Sequence, residues 1–575
     1  MFVALDRIAD GETYDVIVVG AGAGGMAAAV FAAIAGRKVL LVERTEYVGG
    51  TSALSAATTW APNSQHARSV PGEDSFDKAK RFLDSAVGNH SSAALREAFL
   101  RSAPKAIATL ESKSDVHFRP YATHPDYEQQ HEGATMRGRA LEPVPFDGRQ
   151  LGDGLNRIRP PHPEFTVFGG MMIDRTDINH LLAIKKSAKS FAHAVKILGH
   201  YGLDRLAGRR ASRLVMGNAL IGRMLLTLQK AGVAILTDTS TKSFLTDESG
   251  VSGLVLESGG VERKVMAKSA VVLAAGGFGR GPRRAEMLHQ PTPAYSPAAP
   301  GHTGAMQDLA LTLGARFGES NADNAFWAPV SVRKRKDGTT AVFPHFVMDR
   351  SKPGTVCVNQ AGERFTNESS SYHLFGRAMF EANKVSPCIP CYLITDSEGL
   401  KKYGLGMVRM TDRDYAPFIA DGYLVEGESI GDLEAKLDIP AGALARTVAV
   451  MNEYAKAGVD PDFGRGVTDY HRINGDATHT GKNPTLGPIG TAPFYAVRLY
   501  PGDIGAATGL AIDEWARVTK ADNRPIGRLY ACGAEANSIM GGVYPGPGIT
   551  IGPAIVFAYR AIQNALGLAD EADAA

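Results

Sequence analysis

Cysteine is scarce in this sequence, with four in 575 residues, and that usage argues against a disulfide framework. Cys388 and Cys391 form a C-x-x-C, which is the spacing of a redox pair or of half a metal site. No second pair of cysteines or histidines at ligand spacing accompanies them, and Cys357 and Cys532 lie far away in sequence. We therefore predict reduced thiols at the start of a strand over residues 392–394 and no metal site.

Net charge is also nearly absent, at +2 with 62 basic and 60 acidic residues, so the composition gives no general attraction to nucleic acid. The first residues, MFVALDRIADGE, lack a basic stretch followed by an apolar core, so we expect no secretory signal and a cytoplasmic protein. Residues 15–36 have so little polarity that they imitate a membrane span. Their clustered glycines and alternating strand and helix signals argue against one.

Glycine is abundant instead, at 64 residues, and its first cluster follows a β-branched run over residues 15–19. The cluster has the form G-x-G-x-x-G, and we assign it to a dinucleotide: Gly20, Gly22, Gly24 and Gly25. Gly20 permits the tight turn, Gly22 lets a pyrophosphate approach, and Gly25 lets helix and strand pack closely. A second strand over residues 38–42 ends on Glu43, whose carboxylate can bind a ribose. The alternative, a turn that serves packing alone, is disfavoured because strand, helix and acid agree.

The residues after Glu43 distinguish between two kinds of dinucleotide. A nicotinamide protein would continue with its next βα unit, whereas this chain continues with GGTSALS. Small residues and hydroxyls can cross a flat cofactor and hydrogen-bond its phosphate and ring edge. We assign Gly50, Thr51, Ser52 and Ser55 to these contacts with the cofactor. The sequence therefore predicts FAD as the cofactor.

The order of strand and helix patterns predicts an α/β protein, with a Rossmann-like FAD-binding domain and an inserted α+β catalytic domain. We place the FAD-binding domain at residues 1–285 and 491–575, and the catalytic domain at residues 286–490. Residues 118–152 are rich in turns and aromatics, as in a cap over a pocket. Further stretches should return to the cofactor, and they contribute Ala275, Gly276, Gly304, Gly533 and Glu535.

The segment over residues 544–553, YPGPGITIGP, opens a last helix, and Pro553 suits its first turn. The positive end of that helix, aimed at the flavin N1 and O2 edge, would stabilise the negative charge of reduced FAD. We also assign Gly548 and Ile549 of this segment to the cofactor site.

Residues 170–214 stand out by charge, because basic and apolar residues alternate as in an amphipathic helix or helix pair. The basic residues are Lys185, Lys186, Lys189, Lys196, Arg205, Arg209, Arg210 and Arg213. The apolar residues are Leu182, Ile184, Phe191, Val195, Ile197, Leu198 and Leu203. One interpretation is a solvated helical face. The other is contact of residues 185–213 with a membrane surface, which would suit delivery of a water-insoluble substrate.

With these motifs in place, the chain resembles the 3-ketosteroid Δ1-dehydrogenase family, flavoproteins related in fold to fumarate reductase and succinate dehydrogenase. The similarity runs nearly end to end, through GAGAGG, GGTSALS, PDY, GRAL, GNAL, AAGGFG, PGTVCVNQAGERFTNE and YPGPGITIGPA. The last of these motifs is the most specific.

The resemblance implies removal of hydrogens from C1 and C2 of a ring ketone, with the hydride passing to N5 of FAD. It implies that the Tyr544 hydroxyl and the Gly548 N–H bind the ketone oxygen as an oxyanion hole. Tyr372 would be the base that removes the C2 proton, and Tyr127 would hydrogen-bond to it. The implied partners are a steroid-like cyclic ketone and an electron acceptor, for which a quinone is one candidate.

Other functions stay open at this point. The same machinery would serve simpler ring ketones, such as cyclohexanone derivatives, because the sequence does not show the size of the pocket. A fumarate-reductase-like enzyme needs an arginine acid and cationic clamps, where the C-terminal loop offers Tyr544 and prolines. A Δ4-type steroid dehydrogenase is disfavoured by YPGPG, and a flavin-binding module without catalysis is the remaining alternative.

Overall fold

The computed structural model describes residues 1–72 and 74–569. Its helices α1 to α15 are, in chain order, Ala23–Ile34, Phe76–Val87, Ala93–Lys113, Arg175–Leu182, Ala188–Leu206, Met216–Lys230, Arg284–Met287, Ala305–Thr312, Tyr372–Asn383, Ser397–Tyr403, Ala416–Ala420, Ile430–Lys436, Ala443–Ala457, Asp469–Asn474 and Ile551–Ala565. Its strands β1 to β21 are Glu12–Val19, Val39–Val42, Thr59–Trp60, Phe118–Pro120, Ala140–Pro143, Phe146–Asp147, Thr166–Val167, Met171–Met172, Arg213–Leu214, Ala234–Leu236, Ser240–Asp247, Gly250–Ser258, Val261–Leu273, Ala325–Lys334, Thr340–Pro344, Thr355–Val358, Cys391–Asp396, Leu424–Gly427, Phe494–Ala506, Arg517–Thr519 and Pro525–Ala531.

The first sheet joins the two ends of the chain. Its parallel strands run in the order β10-β2-β1-β13, and β21 pairs with the last residues of β13. The strands β11, β12 and β20 extend the sheet with antiparallel pairs. Parallel neighbours require a crossover, and α1 supplies it between β1 and β2. The carboxyl ends of β1, β2 and β13 therefore meet at one edge, which is where open α/β sheets bind ligands.

The strands at the centre of this sheet are apolar because both of its faces are covered. All four residues of β2 are buried, and so are the last four of β1. Helices α1 and α15 contribute to the same large apolar cluster, in which the aromatic rings of Phe31 and Tyr559 meet at 5.2 Å. A Rossmann-like sheet is thus present where the sequence predicted one.

The second sheet has the strand order β15-β14-β19-β17-β16, with β18 paired to β19. All of its pairs are antiparallel. Separate apolar clusters involve the side chains of this sheet, one around Leu393 and Val497 and another around Ile394 and Ala496. The sequence suggested a domain boundary at residue 490, but β19 lies after it, at Phe494–Ala506, and still belongs to the second sheet. The division into domains itself stays a prediction.

The four cysteines are free and buried, and Cys391 begins β17 as expected. Cys357, distant in sequence, lies on the neighbouring strand β16 with its Sγ 3.5 Å from that of Cys391. Burial raises the pKa of both thiols, so neither is a ready nucleophile. Within the described residues, no group of three His, Cys, Asp or Glu side chains is arranged to hold a metal ion.

Candidate active site

Glycines shape the turn between β1 and α1. Gly20 has a φ of +102°, which a larger residue rarely adopts. A Cβ on Gly25 would overlap the carbonyl oxygen of Gly20, so only glycine lets the helix begin this close to the strand. A Cβ on Gly22 would meet no atom nearer than 3.8 Å, which leaves open space before the helix N-terminus. Gly24 instead faces Cys532, because a Cβ on Gly24 would lie 3.2 Å from its sulfur, and this glycine packs α1 against the C-terminal part of the chain.

The carboxylate of Glu43 braces this turn. Its Oε2 accepts the N–H of Ala21 at 3.0 Å, and its Oε1 accepts the N–H and hydroxyl of Thr45 at 2.9 and 2.8 Å. An ionised carboxylate has about four acceptor positions, so Oε2 keeps one for a ribose hydroxyl. The nearby serines are held locally. Ser52 Oγ accepts the first N–H of α1 at 3.1 Å, and Ser55 Oγ donates to the Ser52 carbonyl at 2.9 Å.

His302 forms the opposite wall of this space. Its Nε2 lies 3.3 Å from Thr51 Oγ1, while its buried Nδ1 has no partner in the described part of the chain. Burial lowers the pKa of the ring to about 4, so the ring is neutral at pH 7. A Cβ on Gly276 would lie 2.5 Å from the ring and one on Gly50 would lie 3.9 Å from it. Gly304 begins α8 next to this wall in a left-handed conformation, with φ of +78°.

The C-terminal part of the chain builds the third side. A small cavity is bordered by residues of the loop after β21 and the start of α15, including Gly533 and Ile549. Glu535 Oε2 accepts the N–H of Gly277 at 3.1 Å, while Oε1 is buried without a partner among the described residues. Burial raises the pKa of Glu535 to about 7. Hydrogen bonds from backbone N–H groups, including that of Ala275, lower the pKa but do not cancel this effect. Its carboxyl is therefore partly protonated near neutral pH.

Three tyrosines from distant parts of the sequence meet beside this cavity. The ring centroids of Tyr372 and Tyr544 are 5.0 Å apart, and Tyr127 lies 5.6 and 5.9 Å from them. Tyr372 begins α9, Tyr544 precedes α15, and Tyr127 lies in the loop between β4 and β5. Phe326 lines the cavity and places its ring 5.1 Å from that of Tyr544. The tyrosine cluster therefore adjoins the cavity.

A buried ion-pair network positions the loop of Tyr127. The guanidinium of Arg139 pairs with Asp126 at 2.7 Å and with Asp74 at 2.8 Å. The backbone N–H of Tyr127 donates to the carbonyl of Pro545 at 2.7 Å, which ties this loop to the residue after Tyr544. Removing one partner of a buried pair costs about 3–5 kcal/mol, so the arginine of the GRAL motif fixes the position of the loop.

Gly548 follows Tyr544 by four residues in the same loop. It has a φ of +85°, and a Cβ there would overlap the carbonyl of Thr58. Its own carbonyl accepts the N–H of Trp60 at 3.2 Å, whereas its N–H makes no hydrogen bond to the residues that the structure describes. One loop thus carries a tyrosine hydroxyl and an uncommitted backbone N–H.

Burial governs the protonation of the three tyrosines. It raises the pKa of Tyr127 and of Tyr372 well above 10, and the neighbouring phenols raise it further. Burial also raises the pKa of Tyr544, although hydrogen bonds with Tyr372 and Thr550 oppose the shift. All three phenols are therefore protonated at neutral pH in the free protein.

A fourth tyrosine belongs to the cluster, and no sequence motif marked it. The ring of Tyr470 lies 4.9 Å from that of Tyr127, and its buried hydroxyl has no partner among the residues described. Burial raises the pKa of Tyr470, while the positive charge of Arg350 lowers it. The buried guanidinium of Arg350 donates to the carbonyls of His345 and Glu368 at 3.0 and 2.7 Å. Its hydrogen bonds to carbonyls do not neutralise its charge.

The chain matches the FAD binding domain family over residues 15–551. It is 30% identical over 564 residues to the 3-oxosteroid 1-dehydrogenase of Mycolicibacterium smegmatis, which covers 96% of this chain and 97% of that one. The chain belongs to the 3-ketosteroid Δ1-dehydrogenase family. It is also 35% identical over 560 residues to the 4-oxocyclohex-2-ene-1-carboxylate 5-dehydrogenase of Sinomonas cyclohexanicum, covering 96% of this chain and 94% of that one.

A crystal structure from the 3-ketosteroid Δ1-dehydrogenase family has the same fold. It is that of the Sterolibacterium denitrificans enzyme in complex with 1,4-androstadiene-3,17-dione, with a TM-score of 0.90 and 33% identity. The match covers 97% of this chain and 100% of that one. The predictions of an α/β FAD-binding fold, of FAD as the cofactor and of an oxidoreductase acting on a CH–CH group are confirmed.

The residues around the cavity and the glycine turn fit FAD. Gly22 leaves room for a pyrophosphate, and the unpaired His302 Nδ1 and Glu535 Oε1 are buried polar atoms that a bound nucleotide would satisfy. Gly24 and Ser55 make contacts within the protein itself. The contacts assigned to individual residues therefore stay predictions.

Proposed function

We propose that this flavoprotein removes hydrogens from C1 and C2 of a ring ketone, with a 3-ketosteroid as the first candidate substrate. The observation that carries the proposal is the cluster of tyrosines beside the cavity, in which Tyr372 and Tyr544 are buried and Tyr127 is partly buried. Tyrosine hydroxyls suit a ketone oxygen and a carbon acid, whereas a dicarboxylate substrate needs cations.

The ketone oxygen would be held by Tyr544 and Gly548. The hydroxyl and the uncommitted N–H come from one loop, and glycine is the residue that this backbone conformation allows. Two donors at the oxygen stabilise the enolate character that develops as the C2–H bond weakens. The loop leads directly into α15, whose N-terminal dipole would favour negative charge on a flavin bound next to it.

Tyr372 would take the C2 proton, with Tyr127 hydrogen-bonded to it. Burial raises the pKa of Tyr372, so its phenol is protonated at neutral pH and must lose that proton before it can act as the base. Tyr127 lies beside Tyr372, and Tyr470 packs on Tyr127, where the charge of Arg350 lowers the pKa of Tyr470. FAD, when bound, supplies the acceptor for the C1 hydride. The rate should therefore rise above neutral pH.

Fumarate-reductase-like chemistry has little support near this cluster. Arg350 donates to backbone carbonyls, and Arg139 is paired with two aspartates. Neither guanidinium is placed to clamp a substrate carboxylate without losing a buried partner. Because both arginines already have partners within the protein, a neutral substrate is favoured at the tyrosines.

A small keto acid is the second candidate substrate, because one relative is named for 4-oxocyclohex-2-ene-1-carboxylate. An aromatic row runs outward from Tyr127 to His124 at 6.2 Å and on to Tyr121 at 4.8 Å. Burial is the main cause of the lowered pKa of His124, and the positive charge of Arg175 lowers that pKa further. Arg175 is exposed and has no ion pair in the described part of the chain. A keto acid would then place its ketone at Tyr544 and its carboxylate toward Arg175.

Anaerobic titration of the FAD-loaded protein tests these alternatives. We expect 4-androstene-3,17-dione to bleach the flavin absorbance, and succinate to leave it unchanged. Arg175→Gln should raise the KM for 4-oxocyclohexanecarboxylate by about tenfold, the loss expected for one ion pair of about 1.4 kcal/mol, and leave the steroid KM unchanged. Arg209→Gln, an exposed arginine of the same basic segment, is the control. Bleaching by succinate and by neither ketone would overturn the proposal.

A further inference from the structure

Helix α5 exposes many apolar side chains on one side. Its exposed apolar residues, with their exposed fractions, are Phe191 at 58%, Val195 at 53%, Leu198 at 38%, Leu203 at 66% and Leu206 at 87%. They share one broad arc of the helix, while Ser190, Ala194, Ile197 and Asp204 lie on the buried side. A helix on the surface of a water-soluble domain usually exposes charged and polar side chains there instead.

Polar contacts hold this helix to the rest of the protein. Asp177 is fully buried and pairs with Arg213 at 2.8 Å and with His193 of α5 at 2.7 Å. Asp204 of α5 accepts the backbone N–H of Ser212 at 2.7 Å. These polar contacts and the buried Ala194 and Ile197 attach α5 through one side, so its exposed apolar side is left free for another surface.

Phe168 adds an aromatic ring beside this face. It lies at the tip of the hairpin formed by β7 and β8, is 69% exposed, and has a φ of +51°. The left-handed region is costly for a bulky residue and persists only where the surroundings impose it. Tyr201 of α5 donates its hydroxyl to the Phe168 carbonyl at 2.8 Å. The hairpin tip is thus fastened to α5 with its ring in solvent.

The charge around this apolar face is of one sign. Its exposed basic residues are Lys185, Lys186, Lys189, Lys196, Arg205 and Arg209. Residues 165–214 contain three acidic residues, and all of them are buried: Asp174, Asp177 and Asp204. The exposed surface of the segment is therefore cationic around an apolar centre.

We propose that α5 and Phe168 seat the enzyme on a lipid bilayer with anionic headgroups. Apolar side chains enter the interface while the surrounding lysines and arginines meet the phosphates, as in other interfacial helices. A second copy bound through the same face would place these cations against their own counterparts, because a twofold interface pairs identical patches. Among the described residues, no helix is long and apolar enough to cross a membrane, so the attachment is to the surface.

Sedimentation with vesicles tests this surface. FAD-loaded protein is mixed with vesicles of phosphatidylcholine alone or with an equal part of phosphatidylserine. We expect it to pellet with the anionic vesicles and to be released by high salt. The affinity of the triple variant Phe191→Ser/Leu198→Ser/Leu206→Ser for anionic vesicles should fall by about tenfold or more. The affinity of the variant Lys185→Gln/Lys186→Gln/Lys189→Gln for anionic vesicles should fall by about 100-fold, because a tenfold change in affinity corresponds to about 1.4 kcal/mol.

The matched control is Val385→Ser/Val459→Ser/Val467→Ser, which removes exposed apolar side chains elsewhere and should change nothing. All variants should turn over a soluble ketone normally, since none contacts the tyrosine cluster. Equal binding to neutral and anionic vesicles, or unchanged binding by the α5 variants, overturns the proposal. Light scattering that shows an oligomer dissociating in the α5 variants, without vesicle binding by the parent, would assign the face to a second copy and also overturn it.

Discussion

Replacing Tyr544 by phenylalanine removes one hydroxyl and leaves the ring in place. The ring packs edge-on against Tyr372 and Phe326, with centroids 5.0 and 5.1 Å away, so its position should be kept. Loss of a hydrogen bond of this kind costs about 1 kcal/mol of folding free energy, which the protein should tolerate. In the transition state the loss is larger, because one of two donors at the ketone oxygen disappears. We expect kcat to fall by about 10²- to 10³-fold.

Tyr372→Phe and Tyr544→Phe should differ in their effect on binding of the ketone product. Loss of a general base should lower kcat by about 10²-fold or more. Product affinity should be nearly unchanged in Tyr372→Phe, and weaker in Tyr544→Phe, because only Tyr544 is assigned to the ketone. Tyr500→Phe is the matched control, since Tyr500 packs on Tyr295 in the second sheet.

Stopped-flow reduction of the flavin under anaerobic conditions measures the chemical step directly. Product affinity follows from the change in flavin absorbance on titration with the unsaturated ketone. Retention of FAD by both variants, seen in the visible spectrum, shows that the cofactor site is intact. Near-normal flavin reduction in Tyr544→Phe, with FAD bound, would refute its role at the ketone and remove the main support for this reaction.

Three further predictions concern the cofactor site and the tyrosine network. Gly22→Val should abolish FAD binding without unfolding the chain, whereas Gly490→Val, also in open space, should bind FAD normally by absorbance and keep its melting temperature. Burial raises the pKa of Glu535 to about 7, and a ribityl hydroxyl on Oε1 would lower it, so FAD affinity should increase as pH rises through 7. Calorimetry should find that Glu535→Gln removes this dependence. Tyr470→Phe should shift the pH profile of flavin reduction to lower pH with little change in KM, because the Tyr470 phenol raises the pKa of Tyr127, and an unchanged profile would exclude an influence of Tyr470 on the base.

The glycine turn could be predicted because its physics is local. Gly20 has a positive φ in a tight turn, and a Cβ on Gly25 would overlap the carbonyl of Gly20 itself, so both requirements arise within a few residues of β1. Gly24 could not be assigned in the same way. Its neighbour Cys532 lies far along the chain, and only the folded sheet brings the two together.

The tyrosine site shows the same limit. Tyr544 and Gly548 lie in a specific motif, so the resemblance pointed to them. Tyr470 lies on a short helix without a motif, and its place beside Tyr127 follows from the packing of distant segments. The basic segment showed its amphipathic pattern in the sequence. Which side of α5 faces the protein was decided by Asp177 and Asp204, whose buried partners no periodicity could show.

The pairing of β13 with both β1 and β21 has a consequence for synthesis of the protein. A nascent chain that has not reached Pro525 contains the glycine turn but lacks the strand that completes the parallel sheet. It also lacks α15, which covers α1. Until β21 and α15 leave the ribosome, about one strand and one helix of apolar surface remain exposed. Capture of the flavin is therefore expected only after these two elements have been synthesised, and free FAD would act as the final stabiliser of the newly closed domain.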